Sequence, residues 1–203
     1  MCLLYLTGGE KLGLEERKKV LMEIIDKSGD EELRRAAAES LNKVEGKMSL
    51  PLVIDNLRHG DKVIRLQAIY SLGKIGGEKA INALYSLWSV DSDVDERAAA
   101  ARALSEIDDP RSMKFFWKVF QLEKEKVVKV ELFQLLKKWK DRRGTGILLK
   151  ELSSRDADYL IELIRVLGKL GDPRVEPYLI KLAGSRHRGI KMAAVEALGE
   201  LDA

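Results

Sequence analysis

One cysteine, two histidines, two threonines and four prolines among 203 residues leave several chemistries without their raw material. The lone Cys2 excludes a disulfide framework or a thiolate metal cage and fits a reducing cytoplasm. His59 and His187 stand 128 positions apart, and neither has the neighbouring Glu that a His-Glu metal or acid–base set requires. No catalytic residues, metal or cofactor are therefore expected, and the chain reads as a non-enzyme. No apolar run approaches the ~18–20 residues that span a bilayer. Residues 1–6 (MCLLYL) lack the basic flank of a secretory signal. Gly8-Gly9-Glu10-Lys11 and Gly144-Thr145-Gly146 follow no strand and are not phosphate loops.

What is present is 45% hydrophobic and 34% charged residue, too apolar a mixture for a disordered chain. Asn, Gln and Cys number seven against abundant Lys and Glu, which resembles the composition of thermophile proteins. The net charge of +3 is unevenly spread: −1 over 1–50, −3 over 51–110, +8 over 111–150 and −1 over 151–203.

An internal period decides the architecture. Leu41, Leu72, Leu104, Leu136, Leu167 and Leu198 recur at spacings of 31, 32, 32, 31 and 31. Three residues after each stands Val44, Ile75, Ile107, Trp139, Leu170 or Leu201; four before each stands Ala37, Ala68, Ala100, Leu132, Leu163 or Ala194. Those offsets share one face of a helix, so each unit carries an amphipathic helix B. Seven before the leucine runs a mostly basic column, Arg34, Arg65, Arg97, Lys129, Leu160 and Lys191. Eleven before it runs a mostly acidic one, Asp30, Asp61, Asp93, Glu125, Asp156 and His187, placed to cap the helix start. Gly46, Gly76 and Gly171 follow as C-caps.

Shorter helices A are predicted upstream, over about 14–27, 49–58, 78–89, 110–122, 144–153 and 175–184. Proline belongs in a helix's first turn, so Pro51 marks one start, and Pro177 following Pro173 predicts a late-starting last helix A. The expected organisation is an N-terminal segment, 1–13, that includes the stub of an earlier helix, followed by one domain, 14–203. Its repeats fall at about 14–46, 47–77, 78–108, 109–141, 142–171 and 172–203.

The stretches DKVIRLQAIYSLGKIGG (61–77) and GDPRVEPYLIKL…GIKMAAVEALGEL (171–201) resemble the HEAT-like repeat family, in the short bacterial and archaeal form first associated with phycobilisome lyases. The resemblance implies an all-α fold, a right-handed α-α superhelix or solenoid of about six two-helix repeats, with the B helices on the concave face. It also implies a scaffold for protein–protein interaction, and by family name alone a lyase-like, cofactor-handling alternative. The His-Glu ligands of the HEAT-like deoxyhypusine hydroxylases are missing, and no residue set carries over the activity of HEAT-like DNA glycosylases.

On the B helices the outward positions give Tyr70, Lys74, Arg102, Gln134, Lys138, Arg165 and Lys169 as the candidate face for an unidentified protein partner. Residues 111–150 hold six of the twelve aromatics, Phe115, Phe116, Trp117, Phe120, Phe133 and Trp139, and twelve basic residues. Lys137, Lys140, Arg142 and Arg143 are the core of that basic patch, and interleaved aromatics and cations make nucleic-acid or anion binding the alternative function. Phe116, Phe120 and Trp139 also occupy core columns, which favours a packing role for them. Leu132 and Leu163, large at a close-contact column, are expected to be accommodated by compensating core changes. An exposed stripe of Ala194, Val195 and Leu198 predicts a monomer in equilibrium with a weak dimer through the terminal repeat.

Overall fold

The computed structural model describes residues 8–90, 92–107 and 109–201. Cys2 and the rest of 1–7, including the expected stub of an earlier helix, lie outside them. Eleven α-helices joined by short turns make up the described residues, with no strand among them. No helix of the described residues is long and apolar enough to cross a membrane.

The chain divides into two compact units, residues 1–84 and 85–203. The first holds α1 (Gly8–Lys27), α2 (Glu31–His59), α3 (Lys62–Ile75) and most of α4 (Gly77–Ser86), with α1 packed on α2 and α2 on α3. The second holds α5 (Val94–Glu106), α6 (Phe116–Leu122), α7 (Lys126–Trp139), α8 (Thr145–Glu151), α9 (Ala157–Leu170), α10 (Glu176–Ala183) and α11 (Arg188–Glu200). Here the B helices stack in chain order, α5 on α7, α7 on α9 and α9 on α11.

All six residues of the acidic column precede a B helix as its N-cap. Asp30, Asp61, Asp93 and Asp156 each accept from the backbone N–H three residues on. His187 does the same through Nδ1, which accepts from the Ile190 N–H at 3.4 Å. Glu125 does not: its side chain makes no capping bond. The nearby Glu123 accepts from the N–H groups of Lys124 and Glu125 in the link before α7, both at 2.9 Å. His59 is the last residue of α2 and pairs with Asp55 at 3.0 Å.

Two helix limits differ from expectation. α1 starts at Gly8 and not near residue 14, so Gly8-Gly9-Glu10-Lys11 is helical. More important, Gly46 caps nothing. The helix B expected to end there runs straight into the next helix A, giving the 29-residue α2 with Pro51 inside it. Proline cannot donate to the carbonyl four residues back, and nearby the Ser49 hydroxyl donates to the Gly46 carbonyl at 2.9 Å. Gly46 matters by being small: a Cβ there would lie 3.3 Å from Cγ1 of Ile75 on α3. At the later junctions the chain does turn. Gly76 and Gly171 end α3 and α9 in left-handed backbone, and Pro173 opens a 3₁₀ turn that delays the last helix A to Glu176, with Pro177 in its first turn.

The repeat columns are the core. Leu72, Leu104, Leu136 and Leu167 are fully buried, as are Ala100, Leu132, Leu163 and Ala194 at the close-contact column. Leu41 and Leu198 are half-buried. Of the expected terminal stripe, Val195 is exposed and Leu198 half-buried, but Ala194 is covered within the second unit, and Met192 is exposed on α11 as well.

A substitution pair checks this register. Ala68 is buried and Ala36 exposed, although each lies within one residue of the same repeat column. Ala68→Leu is expected to cost ~1–3 kcal/mol by overpacking, and Ala36→Leu close to nothing. Urea unfolding of both variants measures the contrast.

Candidate functional site

The phase set by the buried leucines turns the residues two before and two after them outward. Tyr70, Lys74, Arg102, Gln134, Lys138, Arg165 and Lys169 are all exposed, as expected. In the first unit the Lys74 ammonium stands 5.2 Å from the centre of the Tyr70 ring, a cation–π contact that holds an exposed phenol in place.

In the second unit the outward face is stitched from helix to helix. Arg102 on α5 meets Glu131 on α7 at 3.2 Å. Lys138 reaches back from α7 to the Ser105 carbonyl at 3.5 Å. Lys137 on α7 meets Glu162 on α9 at 3.0 Å, and Arg165 shares the same carboxylate at 2.7 Å. Lys169 on α9 meets Glu200 on α11 at 2.6 Å. Burial works to raise the Glu162 carboxyl, but the bonds from Lys137 and Arg165 outweigh it and hold it below the usual carboxylate range. A row of charged side chains is thus fixed in orientation across four consecutive B helices. Gln134 lies exposed on α7, the same helix that carries Glu131, Lys137 and Lys138.

Three of the four basic-patch candidates are held by partners within the second unit. Lys137 is spent on Glu162. The Arg142 Nε–H donates to the Leu170 carbonyl at 2.7 Å. Arg143 clasps Asp141 through Nε and Nη2 at 2.9 and 2.7 Å, and keeps that carboxyl well below its ordinary range. Lys140 closes α7 in left-handed backbone, φ 48°. Three of the six aromatics interleaved with these cations are turned inward. Phe116, Phe120 and Phe133 are fully buried and continue through ring contacts of 5.8, 5.8 and 5.6 Å to Tyr159. A base would find no stack of rings among these three.

Two features escaped the sequence reading. The first is a recurring Asp-x-Arg at the turns Asp109/Arg111, Asp141/Arg143 and Asp172/Arg174, where the carboxylate accepts from both the amide and the guanidinium of the arginine. It occupies columns five and seven after the repeat leucine, and those columns were there to be read. The second is a buried node at Glu123. Trp88 Nε1–H donates to it at 2.8 Å, and Arg97 donates through Nε at 2.8 Å and Nη2 at 3.3 Å. Nothing on one repeat announces it, because the donors come from 35 and 26 residues earlier.

No group of three or more His, Cys, Asp and Glu side chains able to hold a metal exists among the described residues. The sequence profile described as HEAT repeats matches residues 18–101, 50–137 and 146–203, which together span most of the chain. No curated protein matches.

Proposed function

The chain belongs to the HEAT-repeat family, and from that membership we propose that it is a non-catalytic scaffold that docks a protein partner on the outward face of its B helices. The observation that carries this reading is the stitched row of Arg102, Lys137, Arg165 and Lys169. Side chains already held by cross-helix pairs lose less freedom on binding than mobile ones, and alternating signs set orientation and exclude wrong partners. Gln134, exposed in the same unit as that row, adds a neutral contact.

A triple variant, Arg102→Ala, Gln134→Ala and Arg165→Ala, removes three exposed side chains without touching the core. Wild-type protein is expected to retain a partner from native lysate that the variant loses, with unchanged helical circular dichroism in both. Equal recovery by the two would overturn this face as the docking surface.

A further inference from the structure

A cavity of about 660 Å³ opens in the first unit, among α1, α2 and the start of α4. Its volume lies within the ~300–1,000 Å³ typical of small-molecule sites. Leu14, Leu50 and Ile75 supply an apolar lining, and Arg17, Lys47 and Lys79 bring three cations to it. A second hollow of about 350 Å³ shares Leu50 and Lys79 and continues along α2 past Pro51 and Ile54 to Arg58.

The three cations are what set this cavity apart. Elsewhere in the unit Lys18 pairs with Glu45 at 2.8 Å and Lys27 with Glu23 at 2.7 Å. Arg17, Lys47 and Lys79 make no ion pair or hydrogen bond among the described residues. Among the described residues lining the larger cavity, Glu78 is the one acid beside the three cations. In the adjoining hollow Asp55 lies beside His59. Because α4 already carries Glu78 in its first turn, the cations and not the helix end must hold any anion.

We propose that this cavity is a binding site for a small amphipathic anion, with an apolar body against Leu14, Leu50 and Ile75 and a carboxylate or phosphate head between Arg17, Lys47 and Lys79. An apolar ligand without charge would leave three like charges gathered around it unrelieved; an anion alone would leave the lining wet. The site is separate from the docking face and does not rest on it.

Gly13 makes a discriminating test. It lines the cavity from within α1, and a Cβ there would meet nothing within 4 Å. Gly13→Leu therefore starts from an unobstructed Cβ and brings an apolar side chain to the cavity wall, and removing a mid-helix glycine favours the helix. Laurate, dodecyl phosphate and dodecyltrimethylammonium, each below its micelle concentration, are titrated calorimetrically into the full chain. Laurate or dodecyl phosphate is expected to bind and the ammonium compound not; whichever anion binds more tightly identifies the head group. Lys47→Glu should weaken the anion at least about tenfold, a loss of ~1.4 kcal/mol. Gly13→Leu should abolish binding with thermal stability kept or raised. Equal binding of the cationic and anionic amphiphiles, unchanged anion binding in Gly13→Leu, or no uptake up to about 1 mM, where binding is worth only ~4 kcal/mol, would each overturn the site. So would sedimentation showing that Gly13→Leu splits a dimer while leaving laurate indifferent, which would make the cavity a contact between two copies.

Discussion

Glu123→Ala is expected to cost about 3 kcal/mol of folding free energy, the low end of what breaking a buried charge pair costs. Glu123 is 4% exposed and accepts from five donors: the Trp88 indole, two guanidinium N–H groups of Arg97 and the amides of Lys124 and Glu125. Truncation strands the indole N–H, an arginine that is itself largely covered, and the amides of Lys124 and Glu125 in the link before α7. The loss stays near the low end because Arg97 keeps its bond to the Ser92 carbonyl at 2.5 Å. For a chain of this size each kcal/mol shifts the melting midpoint by ~2–4 °C, so a fall of roughly 6–12 °C is expected. Arg97→Ala with Glu123→Ala should cost less than the two singles added together, because both remove the same pair.

The pH dependence has a definite sign. Burial pushes the Glu123 carboxyl up, but Arg97, the Glu125 amide and Trp88 together bring it below its ordinary value. A carboxyl depressed in the folded state contributes stability that is full above its unfolded pKa, ~4.3, and disappears as pH falls through the folded one. The gap between wild type and Glu123→Ala should therefore be constant at neutral pH and close below about pH 4. A gap that widens on acidification would mean that Glu123 is not held as an anion.

The parts of this molecule that could be read from its sequence are those repeated within one unit. A leucine every 31 or 32 residues fixes the helical phase, and the phase alone tells that Ala68 is buried and Arg102 is not. A cap is equally local: Asp156 needs only the amide of Tyr159. What escaped is what depends on a neighbouring unit or on a departure from the repeat. The acid at Glu125 sits in the capping column, yet its longer side chain makes no cap bond. Gly46 sits where three later junctions carry Asp109, Asp141 or Asp172. The α3–α4 junction lacks that acid too but turns through Gly76 and Gly77 at positive φ, whereas with neither device α2 runs on through Pro51. The candidate face was legible as exposure and illegible as pairing. Which acid meets Lys137 is decided by the approach of α9 to α7 and not by either helix alone.

Glycines one position after the repeat leucine yield the second large effect, and it differs in sign between two of them. Gly168 in α9 lies so close to α11 that a Cβ would stand 2.7 Å from both Cα and Cβ of Ala197. Because one of those atoms is backbone, no side-chain rotation relieves the clash; the helices must part. Gly168→Val is expected to cost about 3 kcal/mol, the upper end of overpacking, and to loosen Lys169 from Glu200 on the same helix pair. Gly199 in α11 occupies the same column, but a Cβ there meets nothing within 4 Å. Gly199→Ala should stabilise the chain by roughly 0.5–1 kcal/mol, since alanine restricts the unfolded chain and suits a helix better. Thermal melts of the two variants, read beside wild type, decide the matter. If both fell by similar amounts, the close approach of α9 and α11 at Gly168 would not be what holds these helices in register.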